Sequence, residues 1–280
     1  MRTVTLGYSP CPNDTFLFYP LVHHCVPCNG FQFRERLEDV ETLNRLAMEG
    51  TLDVCKVSYH AYALIRERYI LLRSGGAMGR GCGPLVVART PLAPGDLKGK
   101  RIAAPGQYTT ACLLLQLFEP KLAEMIFLPF DKIMTAVAAG QVDAGLIIHE
   151  SRFTYPSYGL HKVLDLGEWW ETSTGFPLPL GGIAAKRSLG PASLATLSSL
   201  VRSSVEYALR HPAETLNYVR AHSQEMSEEV CASHIALYVN DYSLDPSPEG
   251  ESAAELLFAR GAQLGLFPRS SAPLFVPATS

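Results

Sequence analysis

Short apolar runs alternate along the chain with stretches in which apolar residues recur every three or four positions. In the first third, five runs have the length and composition of strands and three stretches have helical spacing: strands at 3–8, 31–37, 52–57, 69–73 and 85–88, and helices at 14–23, 41–49 and 61–66. Such alternation is typical of α/β proteins and favours mainly parallel strands. Five glycines at 75–83 predict a turn or a close backbone approach.

A second block of the same kind follows the Pro/Gly-rich residues 90–95, which are typical of a domain boundary. Its elements are again short strands and helices: strands at 101–104, 125–128, 142–148, 163–166 and 181–185, and helices at 109–118 and 132–139. Beyond Pro191 the pattern is helical throughout, over 192–210, 213–221, 228–239 and 250–264.

These two blocks predict two α/β lobes joined by two crossing segments, near 86–90 and near 180–185, with a cleft between the lobes. We expect lobe I to comprise residues 1–88 and 181–280, with the C-terminal helices packed on it, and lobe II to comprise residues 89–180. Ligands of open α/β sheets bind beyond the carboxyl ends of the strands. The strand-to-helix junctions are therefore where functional residues are expected.

Composition excludes several classes of partner. The 280 residues are 47% hydrophobic and carry 24 basic against 27 acidic side chains, so no basic excess predicts nucleic acid binding. No run approaches the roughly 18 apolar residues of a membrane span, and the N-terminus has no signal-like segment. Seven scattered cysteines are interpreted as reduced thiols. We therefore expect a cytoplasmic protein with no nucleic acid or membrane partner and no metal site, since no set of ligands has metal-binding spacing.

Two junctions in the first block carry polar groups. After the first strand comes SPCPNDTF at 9–16, where Asn13 or Asp14 can cap the next helix and capping alone accounts for either residue. A cap does not account for Ser9 in so rigid a turn. After the third strand, Ser58 either caps a helix or, with the amides that follow it, binds a carboxylate.

In the second block, residues 105–111 connect a strand to an apolar helix. Thr109 or Thr110 supplies a hydroxyl cap, and the unpaired amides around Thr110 and Ala111 are expected to attract an anion. The segment has neither a dinucleotide nor an ATP phosphate-loop motif. This helix start is therefore a candidate carboxylate site.

His149 directly follows the apolar run at 142–148, which is predicted to form a central strand. An imidazole at such a strand end is suited to act as a general base, although a histidine satisfied by its neighbours fits the same pattern. His60 and Glu150 are the alternative bases. If the base has an ordinary imidazole pKa, the reaction rate should fall below roughly pH 6.5, because the protonated ring cannot accept a proton. No HExxH or GxSxG motif is present, which argues against zinc and serine hydrolases.

Several long segments resemble, in order, the 1,4-dihydroxy-6-naphthoate synthases of the futalosine route to menaquinone, which are related to type II periplasmic binding proteins. The matching segments are SPCPNDTF at 9–16, LEDVETLN at 37–44, RSGGA at 73–77, GPLVVA at 83–88, GLIIHESRFTY at 145–155 and PLPLG at 177–181. The resemblance implies a two-lobed α/β fold of that binding-protein type, with the substrate in the central cleft and no cofactor.

The resemblance also implies a reaction and its residues. Cyclic dehypoxanthine futalosine, a small-molecule carboxylate, would be cleaved to 1,4-dihydroxy-6-naphthoate, with His149 as the base. Substrate contacts are implied for two short stretches, with four further candidates: Lys56, Val57 and Ser58, then Thr110 and Ala111, and in addition Ser9, Asn13, Asn44 and Thr109. A non-catalytic carboxylate-binding protein and the chorismate dehydratase of the same pathway remain alternatives. His60, Tyr108, Cys25 and Cys28 have no assigned role.

Overall fold

The structure is a computed structural model that describes residues 1–122, 124–223 and 227–278. Eleven strands form two sheets, and their bounds are β1 Arg2–Tyr8, β2 Phe31–Leu37, β3 Val54–Ser58, β4 Tyr69–Leu71, β5 Ala77–Gly79, β6 Leu85–Ala88, β7 Arg101–Ala104, β8 Glu124–Phe127, β9 Ala144–Ile147, β10 His161–Asp165 and β11 Leu178–Lys186. The described part of the chain thus has the two-sheet α/β architecture that the alternating pattern predicted.

Helices cover both sheets and make up most of the C-terminal third. Their bounds are α1 Pro12–Val22, α2 Val40–Glu49, α3 Tyr59–Ile65, α4 Thr110–Phe118, α5 Phe130–Ala138, α6 Ser151–Thr154, α7 Leu166–Thr174, α8 Pro191–Arg210, α9 Pro212–His222, α10 Glu228–Tyr238, α11 Asp241–Leu244 and α12 Ser247–Gln263. Short 3-10 turns lie at Pro94–Leu97, Tyr155–Tyr158 and Arg187–Leu189.

The first sheet has the strand order β2-β1-β3-β11-β4, and β5 pairs with the other end of β11. Strand β1 is parallel to β2 and β3, whereas β11 is antiparallel to β3, β4 and β5. The second sheet has the order β10-β6-β9-β7-β8, in which β6 is antiparallel to both of its neighbours.

The prediction of mainly parallel strands is therefore wrong. Strands β6 and β11 are the ones that enter each sheet from the other lobe, and each runs against its neighbours. The chain crosses from the first sheet to the second at β6 and returns to the first sheet at β11. Each of these strands therefore enters its sheet from the end opposite to that at which the neighbouring strands begin. Parallel pairing is found among the other strands: β1 is parallel to β2 and β3, and β7 is parallel to β8 and β9.

The lobe boundaries also differ from those expected at residues 88 and 180. Strand β6 belongs to the second sheet, so residues 85–88 are part of lobe II, and β11 begins in the first sheet at Leu178. The first crossing thus occupies 80–84, at the end of the glycine-rich segment. The Pro/Gly-rich residues 90–95 lie within lobe II, in the mostly exposed connection from β6 to β7 that includes the start of the 3-10 turn at Pro94–Leu97.

The C-terminal helices pack on lobe I, and α8 and α9 contact α1. Buried Leu197, Val201 and Val205 of α8 lie in one apolar cluster with Leu6 of β1 and Leu17 of α1. Removing these side chains from water stabilises the sheet by roughly 1.5–3 kcal/mol for each fully buried residue. Within the described ranges, no helix combines the length and apolarity that crossing a membrane requires.

Four elements were absent from the sequence prediction: β5, α6, α7 and α11. Strand β5 lies inside the glycine-rich segment, and α7 follows β10 directly, beginning at the Asp165 cap, whose carboxylate accepts hydrogen bonds from the amides of Gly167 and Glu168. The glycines do bring backbones together, as expected. A Cβ on Gly83 would lie 2.2 Å from the backbone nitrogen of Gly167.

We expect Gly83→Ala to lower the free energy of unfolding by about 1–3 kcal/mol, because backbone atoms cannot move aside as a flexible side chain would. Urea unfolding followed by circular dichroism measures this loss. The matched control is Gly95→Ala, where nothing lies within 4 Å of the added Cβ, and which should change stability by less than about 0.5 kcal/mol. Equal stability of the two variants would contradict the close packing of this crossing.

Candidate functional site

A cleft with about 680 Å³ of empty space lies between the two lobes. Its walls come from the ends of β1 and β3 and the start of α4, with β9 and α10 completing the enclosure; the residues that bear on its chemistry are Ser9, Lys56, Ser58, Thr110, His149 and His234. The cleft is therefore where the strand-to-helix junctions converge, as expected for an α/β protein.

A buried ion pair forms one wall of the cleft. Nζ of Lys56 lies 2.8 Å from Oδ1 of Asp14 and 3.3 Å from the carbonyl oxygen of Gly75, and both charged side chains are more than nine-tenths buried. The other carboxylate oxygen of Asp14 accepts hydrogen bonds from the hydroxyl and the amide of Ser9, at 2.8 and 3.2 Å. Asp14 thus organises the loop after β1 as well as neutralising Lys56.

Ser58 is held in place by Asn44 of α2. The Asn44 amide nitrogen donates to the Ser58 hydroxyl oxygen at 3.2 Å, and its carbonyl oxygen accepts the Ser58 backbone amide at 2.9 Å. Because the hydroxyl oxygen already accepts a hydrogen bond, its own hydrogen can be donated to a ligand. Ser58 is therefore positioned as a donor at the cleft wall.

The start of α4 supplies two unpaired amides. The Thr109 hydroxyl accepts the amide of Cys112 at 3.2 Å, which is the usual N-cap bond. The backbone nitrogens of Thr110 and Ala111 donate to no atom of residues 1–122, 124–223 or 227–278. The Thr110 hydroxyl is fully used, because it accepts from the Tyr59 amide at 2.9 Å and donates to the Leu180 carbonyl at 2.6 Å. Thr110 thus offers its amide, and not its hydroxyl, to a ligand.

His149 lies two residues beyond the end of β9 with a left-handed backbone, at φ 55°. That conformation is uncommon for a residue with a side chain and is concentrated at functional sites. Burial lowers the pKa of the imidazole below its usual range, against the opposing effect of the nearby Glu150 and Asp14 carboxylates. The expectation of an ordinary imidazole pKa is therefore wrong, and His149 stays neutral to lower pH.

The Cys11 thiol contacts His149 from the opposite lobe. Its sulfur lies 3.4 Å from Nδ1 of the imidazole, and Cys11 is buried. Nε2 of His149 makes no hydrogen bond to the residues that the structure describes. A proton on Nδ1 that points to the sulfur leaves the Nε2 lone pair free, which is the tautomer that a base requires.

The structure brings most of the sequence candidates to the cleft wall and separates the remainder from it. Asn44 stands behind Ser58, while the other nine candidates line the cleft. His60 faces away, with Nδ1 at 3.3 Å from the Thr109 carbonyl and its ring against Phe267. Glu150 is also absent from the lining. Neither alternative base therefore has the access that His149 has.

Asp14, His234 and Tyr238 are among the lining residues that sequence reasoning did not place in the site. Asp14 was interpreted only as a helix cap. Its contact with Lys56, which is 42 positions away in the chain, leaves no trace in the local sequence pattern. His234 and Tyr238 lie one turn apart on α10 and border the cleft from the side. Their helical spacing was visible, but nothing in the sequence distinguishes a helix that borders a cleft from one buried in the core.

We expect Asp14→Asn to reduce the free energy of unfolding by about 3–5 kcal/mol at pH 7, because it leaves the buried Lys56 charge without its partner. Urea unfolding at constant pH measures the change. Glu206→Gln is the matched control: it breaks the exposed Arg202–Glu206 pair at 2.9 Å and should cost less than about 1 kcal/mol. If both substitutions gave the same small loss, the Lys56–Asp14 pair would not be structurally essential.

Comparisons with known proteins agree with this architecture. The family model described as menaquinone biosynthesis matches residues 4–263. A protein of Thermus thermophilus named 1,4-dihydroxy-6-naphthoate synthase is 55% identical over 99% of this chain and all of its own length, and a Streptomyces coelicolor protein of the same name is 45% identical over 95% of each chain.

Three solved structures extend the comparison to the fold. The structure of protein AF1704 from Archaeoglobus fulgidus has a TM-score of 0.90 at 37% identity, covering 95% of this chain and 98% of its own. An alkanesulfonate-binding protein from Xanthomonas axonopodis pv. citri has a TM-score of 0.72 at 16% identity, covering 96% and 95%. A Candida albicans protein described as having the generic periplasmic binding protein fold has a TM-score of 0.70 at 14% identity, covering 97% of this chain and 92% of its own. By sequence and by fold, the chain belongs to the menaquinone-biosynthesis family of 1,4-dihydroxy-6-naphthoate synthases.

Proposed function

We propose that this enzyme converts cyclic dehypoxanthine futalosine to 1,4-dihydroxy-6-naphthoate, with His149 as the general base. The observation that carries the proposal is a neutral imidazole at a strained strand end, opening onto an interlobe cleft whose other wall supplies donors for an anion. The names of the relatives support the same reaction.

The donors suit a carboxylate. Nζ of Lys56 has three hydrogens, of which the Asp14 carboxylate and the Gly75 carbonyl use two. The third, together with the Ser58 hydroxyl and the free amides of Thr110 and Ala111, can bind the substrate carboxylate. These groups lie on the cleft wall formed by β3 and α4, so the anionic end of the substrate would be fixed there.

Fixing the carboxylate in this way leaves the rest of the substrate toward His149. The base removes a proton from a carbon next to a carbonyl, the spiro-linked sugar remnant leaves by carbon–carbon cleavage, and formation of an aromatic ring drives the reaction. Contacts between the lobes, such as the one joining Cys11 to His149, hold the cleft closed and exclude water. An anchored substrate and a neutral base account for the removal of the proton.

A cytoplasmic location is part of the proposal. All seven cysteines are free thiols, and five of them are buried. Free thiols are typical of a reducing compartment. A non-catalytic carboxylate-binding protein would use the same Lys56 and Ser58 donors but would have no need for a strained, neutral histidine. A chorismate dehydratase is distinguished directly, by which substrate is turned over.

We expect His149→Asn to lower kcat by about 10²–10⁴-fold with a much smaller change in KM, because general-base catalysis typically contributes that factor. Appearance of the naphthoate chromophore from the cyclic futalosine measures the rate, and chorismate serves as the competing substrate. His161→Asn, an exposed histidine at the start of β10, is the matched control and should retain wild-type kcat. More than about a third of wild-type kcat in His149→Asn would remove it as the base.

The pH profile gives a second measure of the same base. Since only the neutral imidazole accepts a proton and burial lowers the pKa of His149, the acid limb of kcat/KM should lie below pH 6.5. The limb should be absent from the residual rate of His149→Asn. An acid limb above pH 6.5 would assign the titration to a different group.

We expect Ser58→Ala to raise KM by about 10–100-fold while kcat changes little, because one hydrogen bond to a charged group is worth about 1.5–3 kcal/mol. Steady-state kinetics with the cyclic futalosine measures both constants. Ser157→Ala, at an exposed serine of a surface turn, is the control. Unchanged KM in Ser58→Ala would place the carboxylate elsewhere in the cleft.

A further inference from the structure

His234 is buried at the side of the cleft without a hydrogen-bond partner. The residue is fully buried, and neither Nδ1 nor Nε2 forms a hydrogen bond within residues 1–122, 124–223 and 227–278. Its ring borders the cleft on α10, with the Tyr238 ring 4.6 Å away on the next helical turn. An imidazole always carries at least one N–H group, so a buried donor is left unsatisfied.

Such a donor destabilises the fold unless something else binds it, because burial removes its hydrogen bonds to water. In this structure neither ring nitrogen is exposed to solvent. Because the residue borders the cleft, a group bound there is the one placed to pair with His234. The unpartnered ring thus indicates a ligand contact that the known donors of the cleft do not supply.

The charge state of His234 determines what it can bind. Burial lowers its pKa to about 3, and the nearby His149 and Lys56 act in the same direction. Lys56, Asp14 and Glu150 are the charged groups on the facing elements, and none of them forms a hydrogen bond with the ring. His234 is therefore neutral at pH 7, and it offers one N–H donor without adding a positive charge.

The two cleft imidazoles are close enough to act on one small unit of the substrate. Their ring centroids are 6.1 Å apart. A carbonyl oxygen and the carbon next to that carbonyl are separated by about 2.4 Å, and each is reached by a ring nitrogen from about 3 Å. A carbon–carbonyl unit that lies in the cleft across both rings can therefore turn its C–H to one ring and its oxygen to the other.

We propose that His234 donates a hydrogen bond to the carbonyl oxygen next to the carbon that His149 deprotonates. The inference rests on the proposed function. As the C–H proton passes to Nε2 of His149, the C–H electron pair becomes a carbon–carbon double bond and the carbonyl π electrons move onto oxygen. The N–H of His234 stabilises that oxygen as its negative charge grows, while remaining attached to its own nitrogen.

Three substitutions separate this role from packing. His234→Phe keeps a ring against Tyr238 but removes both nitrogens, and we expect kcat to fall about 10²–10³-fold with KM within a few-fold of wild type. His234→Asn and His234→Gln restore an N–H donor at the depth of Nδ1 and Nε2 respectively. At least one of them should recover ten-fold or more of the rate lost in His234→Phe.

The readouts distinguish the alternatives. A structural role predicts that His234→Phe, which fills the same space, is the most active variant and that the polar replacements are worse. That order, or more than about a third of wild-type kcat in His234→Phe, overturns the proposal. The melting temperature of each variant identifies any loss due to unfolding, and His161→Phe, at an exposed position on β10, is the matched control.

A binding measurement keeps this inference separable from the proposed reaction. In protein labelled with ¹⁵N-histidine, the ring resonance of His234 is identified by its loss in His234→Phe. Adding the cyclic futalosine to the His149→Asn protein should shift that resonance. If the resonance shifts but the wild-type enzyme does not turn over the cyclic futalosine, the result refutes the proposed reaction and leaves the contact with His234 standing. An unchanged resonance at saturation, or no binding at all, overturns the role of His234.

Discussion

The buried ion pair between Lys56 and Asp14 is the interaction on which the cleft depends. A lysine charge removed from water is tolerated only when an opposite charge and further acceptors surround it, and here the Asp14 carboxylate and the Gly75 carbonyl do so. The same carboxylate binds the hydroxyl and amide of Ser9. One charge pair therefore fixes the loop after β1, the end of β3 and the glycine-rich segment together.

Closure of the lobes is coupled to this wall by a few polar contacts. The Thr110 hydroxyl bridges the start of α3 and the carbonyl of Leu180, and the Asn44 amide reaches the carbonyl of Tyr108 at 3.2 Å while also holding Ser58. Each contact uses a group next to the expected carboxylate site. A ligand shifts the equilibrium between open and closed lobes only if it binds the closed form more tightly. A ligand bound at this wall would do so through the contacts that it adds to those already joining the lobes.

The sequence predicted the elements better than their connections. Periodicity reports which face of a strand or helix is apolar, so most helices and strands were located to within a few residues. It carries no information about strand direction, and for that reason the antiparallel strands β6 and β11 and the true crossing at 80–84 were missed. At the site, the strand-end position of His149 was visible locally. The partnership of Asp14 and the burial of His234 arise from contacts distant in sequence, which no local pattern encodes.

A binding fold becomes a site for proton transfer when its charges and its neutral groups are separated within one cleft. The cation of Lys56 is confined by Asp14 to the wall that would receive the carboxylate, where it would pair with an anion. The imidazoles of His149 and His234 lie where burial keeps both neutral. A neutral histidine can accept a proton or donate a hydrogen bond, whereas a protonated one can only donate. Burial thus favours the neutral form of both rings. In the proposed reaction the lone pair of His149 would accept the proton and the N–H of His234 would donate a hydrogen bond.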